Sequence, residues 1–233
     1  ILPRRKSLCS LMEQPQPEES RVLLINKPIE WTSFDVVNKL RYRLKIKKIG
    51  HAGTLDPLAT GLLIICTGKM TKRIEEFMGH EKEYTGTFVL GQSTPSHDRE
   101  TEVHATNPIN HLTVEEITDA TKPFTGIIQQ IPPMHSAIRV GGKRAYSFAR
   151  KGEEIELKPR QVEVTVFEIT GIQLPEVHFR IVCSKGTYIR SIARDYGNKL
   201  GVGAYMTTLC RTRIGEFHLK DALEIDAVEK LGQ

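Results

Sequence analysis

Hydrophobic positions change their spacing several times along this 233-residue chain, and each change predicts an element. Val22-Leu23-Leu24-Ile25 is a short apolar run that reads as a strand. Val36, Val37, Leu40 and Leu44 then recur at helical spacing, and Thr32 with Asp35 ahead of them has capping-box spacing. Leu62-Leu63-Ile64-Ile65-Cys66 is a solid apolar run, the pattern of a buried strand. From Tyr84 to Leu90 the residues alternate, with Tyr84, Gly86, Phe88 and Leu90 on one face. Val162 to Val166 and Val177 to Cys183 alternate likewise. The second of these turns at Ser184-Lys185-Gly186-Thr187 into a helix whose core stripe is Ile189, Ile192, Ala193, Tyr196 and Leu200, with Gly201 as its stop. Strands alternate with helices, but hairpin-like strand pairs also occur, so the pattern predicts an α+β protein with a mixed sheet.

Two segments stand apart. Residues 1–20 carry Arg4-Arg5-Lys6 and Gln14-Pro15-Gln16-Pro17-Glu18-Glu19 with no apolar period, and predict a mobile tail ahead of a folded region spanning 21–233. The tail is short and acidic at its end, which argues against a transit peptide, and Met12 leaves the biological start either at Ile1 or downstream. Pro132-Pro133 opens a second segment with a Gly141-Gly142 turn and a predicted helix over 143–150, carrying Lys143, Arg144, Arg150 and Lys151.

Composition narrows the class without naming it. The formal charge of +5 favours an anionic partner. Arg41, Arg43, Lys45, Lys47 and Lys48 close the first predicted helix and offer a route for a phosphate backbone. No apolar run approaches the roughly 20 residues that cross a bilayer, so no membrane is expected. Cys9, Cys66, Cys183 and Cys210 show no CxxC spacing and read as reduced thiols of a cytoplasmic protein, with no zinc site.

The candidate chemistry lies in Gly50-His51-Ala52-Gly53-Thr54-Leu55-Asp56-Pro57-Leu58-Ala59-Thr60-Gly61. Its glycines allow close backbone approach or positive φ, and Pro57 forces Asp56 into an extended conformation. Asp56 is therefore presented on a stiff loop anchored by the buried strand after it. Arg190 falls in the first turn of a helix, where a cation opposes the dipole at roughly 0.3–1 kcal/mol. An arginine there predicts a compensating carboxylate, and Asp56 is the partner expected.

The segment GHAGTLDPLATGLL resembles the catalytic loop of the TruB family of pseudouridine synthases. INKPIEWTSFDVV (Ile25 to Val37), KEYTGTFVLGQST (Lys82 to Thr94), IPPMHSAIRVGGKRAYSFARKG (Ile131 to Gly152) and CSKGTYIRSIARDYGNKLG (Cys183 to Gly201) resemble the family's other blocks in the family's order. The resemblance implies a largely antiparallel sheet with flanking helices and a central RNA-binding cleft. It also implies conversion of uridine 55 in the T loop of tRNA to pseudouridine. Asp56 matches the family's essential aspartate, acting as nucleophile or as ribose base, and the target base is flipped out. Tyr84 resembles the tyrosine that stacks on the uracil and assists loss of the carbon 5 proton. Tyr188 and Leu209 resemble pocket residues, and His51 a histidine that packs against T-loop bases. Lys27 matches a lysine near the site, either architectural or RNA-binding, and Asp98 an aspartate at the RNA surface, although Pro95 and His97 depart from the usual pattern there. The segment at about 131–160 matches a thumb that folds over the T arm. Large bacterial members continue into a PUA-type domain, so a chain ending at Gln233 implies a short form whose binding rests on the T arm. No cofactor, metal or obligate protein partner is implied, and the expectation is a monomer.

A second reading is a tRNA-binding or tRNA-folding module with incidental catalysis, against which the joint presence of Asp56, Tyr84 and Arg190 argues. A glycosidase would need a second catalytic carboxylate, which no motif supplies.

Overall fold

The computed structural model describes residues 20–136, 138–149, 153 and 155–231. Its frame is a ten-stranded sheet built from β1 (Val22–Lys27), β2 (Ile49–Ala52), β3 (Ala59–Thr67), β4 (Lys82–Leu90), β5 (Gly126–Gln130), β6 (Arg160–Gln173), β7 (Glu176–Cys183), β8 (Ala204–Ile214), β9 (Phe217–His218) and β10 (Leu223–Glu224). The order is β10-β1-β3-β8-β4-β7-β6-β5, with β2 beside β3 and β9 beside β8. Two pairs are parallel, β1 with β10 and β3 with β8, and the rest are antiparallel. The α+β expectation and the mixed, largely antiparallel sheet therefore hold. Two-residue ladders, Gln92–Ser93 with Ala105–Thr106 and Arg139–Val140 with Lys143–Arg144, lie off this sheet.

Helices α1 (Ser33–Leu44), α2 (Ile74–Gly79), α3 (Val114–Asp119), α4 (Ala145–Ala149) and α5 (Ile189–Lys199) complete the fold. The Thr32 side chain accepts from Asp35 N and the Asp35 carboxylate accepts from Thr32 N, so the capping box that the sequence predicts is present at α1. Val36, Val37 and Leu40 are buried against Leu23, Ile25, Leu63 and Ile65. On the other sheet face Leu62, Ile64 and Cys66 pack with Phe77 of α2 and Ile214. Strand β3 is thus covered on both sides, which is why its sequence is solidly apolar rather than alternating. A third core joins α5 to the far half of the sheet, where Phe88 stacks on Phe179 with centroids 4.1 Å apart and Tyr196 packs beside them.

The helix predicted over 143–150 is shorter. Lys143 and Arg144 belong to a two-residue ladder, and among the described residues the helix runs over Ala145–Ala149, because the Gly141-Gly142 turn folds a hairpin first. Arg150 and Lys151, like the tail at 1–19, lie outside the described residues.

One edge of β3 is used twice. Ala59 to Gly61 pair with Leu209 to Arg211 of β8, and Ile64 to Thr67 pair with β2. The strands fork there, and the Asp56 loop occupies the fork. Gly61 closes it: at φ 102°, a Cβ would stand 2.4 Å from the Arg211 carbonyl oxygen. Gly61→Ala should cost at least about 2 kcal/mol, from left-handed strain plus backbone clash. That is about 4–8 °C in melting temperature for a chain of this size, readable by calorimetry.

Candidate active site

Six residues, Gly53 to Leu58, join β2 to β3, and each carbonyl of the first five accepts a hydrogen bond. Arg211 Nη2 donates to Gly53 O at 3.1 Å and Nη1 to Thr54 O at 3.4 Å. Ser33 Oγ donates to Leu55 O at 3.2 Å while accepting from Leu55 N at 2.9 Å. Ala59 N donates to Asp56 O at 3.0 Å, and Glu30 N to Pro57 O at 2.8 Å. Lys27, with no exposed surface, donates to the carbonyls of Trp31 at 2.6 Å, Pro28 at 2.9 Å and Pro57 at 3.3 Å. Of the two roles open to Lys27, this burial fits the architectural one. Its burial lowers its pKa to about 8, partly offset by the Asp56 charge.

The Asp56 side chain projects from this held loop and is 42% exposed. Arg190, in the first turn of α5 and only 4% exposed, meets it with Nη2 2.9 Å from Oδ2. The ion pair expected from the sequence is therefore formed. The same guanidinium donates to His135 O at 2.9 Å and Ser96 O at 3.4 Å, and Nε lies 3.5 Å from Asp98 Oδ2. Asp98 is 4% exposed, accepting from Ser96 Oγ at 2.6 Å and Glu100 N at 2.8 Å. That placement corrects the expectation of a surface aspartate. A carboxylate whose hydrogen bonds come from its own turn and from Arg190 is held inward, behind the arginine that meets Asp56.

A cleft of about 920 Å³ opens over the pair, lined among others by Asp56, Tyr84, Tyr188, Arg190, Leu209 and Arg211. Gln130 fixes Tyr188 through two bonds, accepting from its N at 2.8 Å and donating to its O at 3.1 Å. Burial raises the phenol pKa of both tyrosines; the Arg211 cation pulls Tyr84 back and Arg160 pulls Tyr188 back. Lys82 lines the cleft too, its ammonium bound by the carbonyls of Met78 and His80, and burial lowers its pKa to about 8. Arg160 and Lys185 stand exposed at the rim. Lys82, Arg160, Lys185, Arg190 and Arg211 line the cleft against two carboxylates, Asp56 and Glu75, so the site is net positive. It is suited to a polyanion and to negative charge that develops during a reaction. Among the described residues no three His, Cys, Asp or Glu side chains cluster as metal ligands, and no helix is long and apolar enough to cross a membrane.

A family model described as TruB family pseudouridylate synthase (N terminal domain) matches residues 41–189, and one described as tRNA pseudouridylate synthase B C-terminal domain matches 190–232. The chain belongs to the TruB family of pseudouridylate synthases. Curated TruB relatives agree in length as well as sequence. A Phocaeicola vulgatus protein named tRNA pseudouridine synthase B is 54% identical, covering 90% of this chain and 92% of its own. One of the same name from Flavobacterium johnsoniae is 53% identical over 91% and 96%. Among solved structures, a Cbf5-Nop10-Gar1 complex matches with TM-score 0.70 and 28% identity, over 90% of this chain and 53% of that one. An H/ACA ribonucleoprotein bound to a substrate RNA containing 2'-deoxyuridine matches with TM-score 0.67 and 27% identity, over 90% and 52%. The boundary between the two TruB models falls inside α5, so Asp56 and Tyr84 belong to one segment and Arg190, Leu209 and Arg211 to the other.

Of the TruB residues singled out in the sequence, Asp56, Tyr84, Tyr188, Arg190 and Leu209 meet in one cleft, while Lys27, His51 and Asp98 do not line it. His51 sits half-buried on β2 with Nδ1 lacking a hydrogen-bond partner, and burial beside Arg211 lowers its pKa, keeping the ring neutral. Ser33, Gln130, Lys82 and Arg211 are additions that the sequence pattern does not single out. Arg211 alone has a legible signal: it is two residues beyond Leu209, on the same face of a strand.

Proposed function

We propose that this chain isomerises uridine 55 in the T loop of tRNA to pseudouridine, residues 21–233 acting as one catalytic domain and Asp56 as the essential carboxylate. The reaction breaks the bond from ribose carbon 1' to N1, turns the uracil, joins carbon 1' to carbon 5, and exchanges a carbon 5 proton for one on N1. No redox change is involved. It calls for a carboxylate at the ribose, a flat apolar place for a base outside its stack, and a group near carbon 5 to manage the proton. The observation that carries the reading is the Asp56–Arg190 pair, 2.9 Å apart in the cleft that Tyr84, Tyr188 and Leu209 line. Tyr84 and Tyr188 line the cleft with aromatic rings suited to stacking on a flipped uracil, and Leu209 adds an apolar wall. The names of the curated relatives support tRNA as the substrate. A cytoplasmic monomer acting without cofactor or obligate protein partner fits the chemistry.

The test is incubation of the purified protein alone with unmodified tRNA and with an isolated T-arm hairpin, followed by mapping of pseudouridine. Modification of both at the position equivalent to uridine 55 is expected. No pseudouridine in tRNA defeats the proposal, and modification elsewhere defeats the assignment of position.

Phosphate binding at the cleft rim makes affinity depend on salt. Reversing Arg160 and Lys185 to glutamate should flatten log K against log salt by about 0.7–0.9 for each phosphate no longer neutralised, with the rate at saturating protein held within a few fold. An unchanged slope would place the phosphate path elsewhere, such as along Lys45 and Lys47 after α1.

A further inference from the structure

Arg211 is the second buried guanidinium of the site, and the ion pair that commits Asp56 makes no use of it. It is 1% exposed. Its Nε donates to Leu62 O at 2.8 Å, Nη2 to Gly53 O at 3.1 Å and Nη1 to Thr54 O at 3.4 Å. Among the described residues no carboxylate completes an ion pair with it. Its strand neighbours are Gly61 on β3 and Tyr84 on β4, each directly opposite in register, and Arg211 and Tyr84 both line the cleft. The Arg211 cation lowers the Tyr84 phenol pKa against the burial that raises it. Gly53 at φ 93° leaves its Cβ position 3.6 Å from Nη1, so the loop comes close at a residue suited to that backbone.

Burying a cation against neutral carbonyls alone is costly, and an apolar side chain would fill the same space without that cost. What the guanidinium adds is geometry. Its planar fork spans three carbonyls, two on the Asp56 loop and one on β3, from a strand paired with the one that carries Tyr84. Ser33, Lys27 and Glu30 fix the loop from the α1 side, at Leu55 and Pro57. Among the described residues, Arg211 is the side chain that fixes the approach to Asp56 from the β4 side, at Gly53 and Thr54.

We propose that Arg211 is a positioning residue that ties the Gly53-Thr54 stretch to the strand carrying Tyr84, and so sets the spacing between Asp56 and Tyr84 across the target nucleotide. The inference rests on the reading of the cleft as a pseudouridine-forming site. A uridine must meet the carboxylate at its sugar and the phenol near its base at once, so an error in their separation raises the barrier without weakening the grip on the rest of the RNA.

The test compares wild type, Arg211→Lys and Arg211→Met. Each is measured for folded fraction and melting temperature, for affinity toward a T-arm hairpin, and for single-turnover rate at saturating protein from neutral to alkaline pH. The expected result for folded Arg211→Met is affinity within about threefold and a rate lowered roughly tenfold to a hundredfold. Arg211→Lys should recover part of the loss, because an ammonium keeps the charge but not the fork. Any step of the profile that follows ionisation of Tyr84 should move to higher pH in Arg211→Met, since removing the Arg211 cation disfavours its phenolate. A residue that merely fills space would lower the melting temperature and leave the rate and pH profile of the folded fraction alone. An unchanged rate in folded Arg211→Met overturns the proposal. Failure of both variants to fold also overturns it, because Arg211 would then serve the fold rather than the spacing. If wild type itself makes no pseudouridine, the functional reading fails instead, and the two failures are told apart by that control.

Discussion

Asp56→Asn protein is expected to bind a T-arm hairpin within a few fold of wild type and to turn it over at least about a thousandfold more slowly, about 4 kcal/mol of barrier. The amide matches the carboxylate in size and still accepts from Arg190. What it loses is the charge and basicity that any role at the ribose requires. The fold should hardly notice. The loop is held through its backbone carbonyls and not through this side chain, which is 42% exposed. A melting temperature within a degree or two of wild type would separate a chemical defect from a structural one. Substantial turnover by pure Asp56→Asn protein would remove Asp56 from the mechanism.

Arg190→Lys should lower the single-turnover rate by at least about tenfold, or 1.4 kcal/mol, although the charge is kept. Arg190 reaches Asp56, His135 O, Ser96 O and Asp98 from one rigid plane. A lysine ammonium sits on a flexible stem and is a single point charge, so it can serve some of these groups but not hold them in one arrangement. With the fork gone, Asp98 keeps only Ser96 and Glu100, and Asp56 gains rotamer freedom. A competing role for Arg190, gripping an RNA phosphate, predicts the opposite split: weaker binding with the rate at saturation intact. At 4% exposure and with its donors already committed, Arg190 has little to offer a phosphate. Measuring affinity and rate on one variant decides between them, and an unaltered rate refutes the orienting role.

Much of the frame is legible because each element carries its own period. The capping box at Thr32 and Asp35 starts α1, and the stripe from Ile189 to Leu200 marks α5. The solid run from Leu62 to Cys66 announces a strand with cores on both faces. The Arg190–Asp56 pair is legible for a different reason, since a cation in a first turn is locally unfavourable and asks for a partner. Ser33 and Gln130 are not, because a serine at a helix start and a glutamine at a strand end are ordinary until a distant backbone comes to meet them. For Asp98 the resemblance implies an aspartate at the RNA surface, and the polar residues around it, Ser96 and Glu100, give no sign of burial. The turn instead folds inward onto α5, where one guanidinium answers its carboxylate. The basic helix expected after Gly141-Gly142 begins two residues late for a similar reason, the tight turn claiming Lys143 and Arg144 for a hairpin.

The place of β8 in the sheet bears on how the protein is made. It is one of the last strands synthesised, yet it lies between β3 and β4 and joins them. While the ribosome is still making the chain ahead of Ala204, β3 and β4 each hold an open edge toward a neighbour that does not yet exist. Such edges invite pairing with other chains. Closing the gap requires a late strand to insert between two early ones, a long-range step that slows folding. Because β8 brings Leu209 and Arg211 with it, the cleft is completed in the same event that seals the sheet. A nascent chain therefore carries its Asp56 loop for most of synthesis without the wall and the guanidinium that complete the cleft.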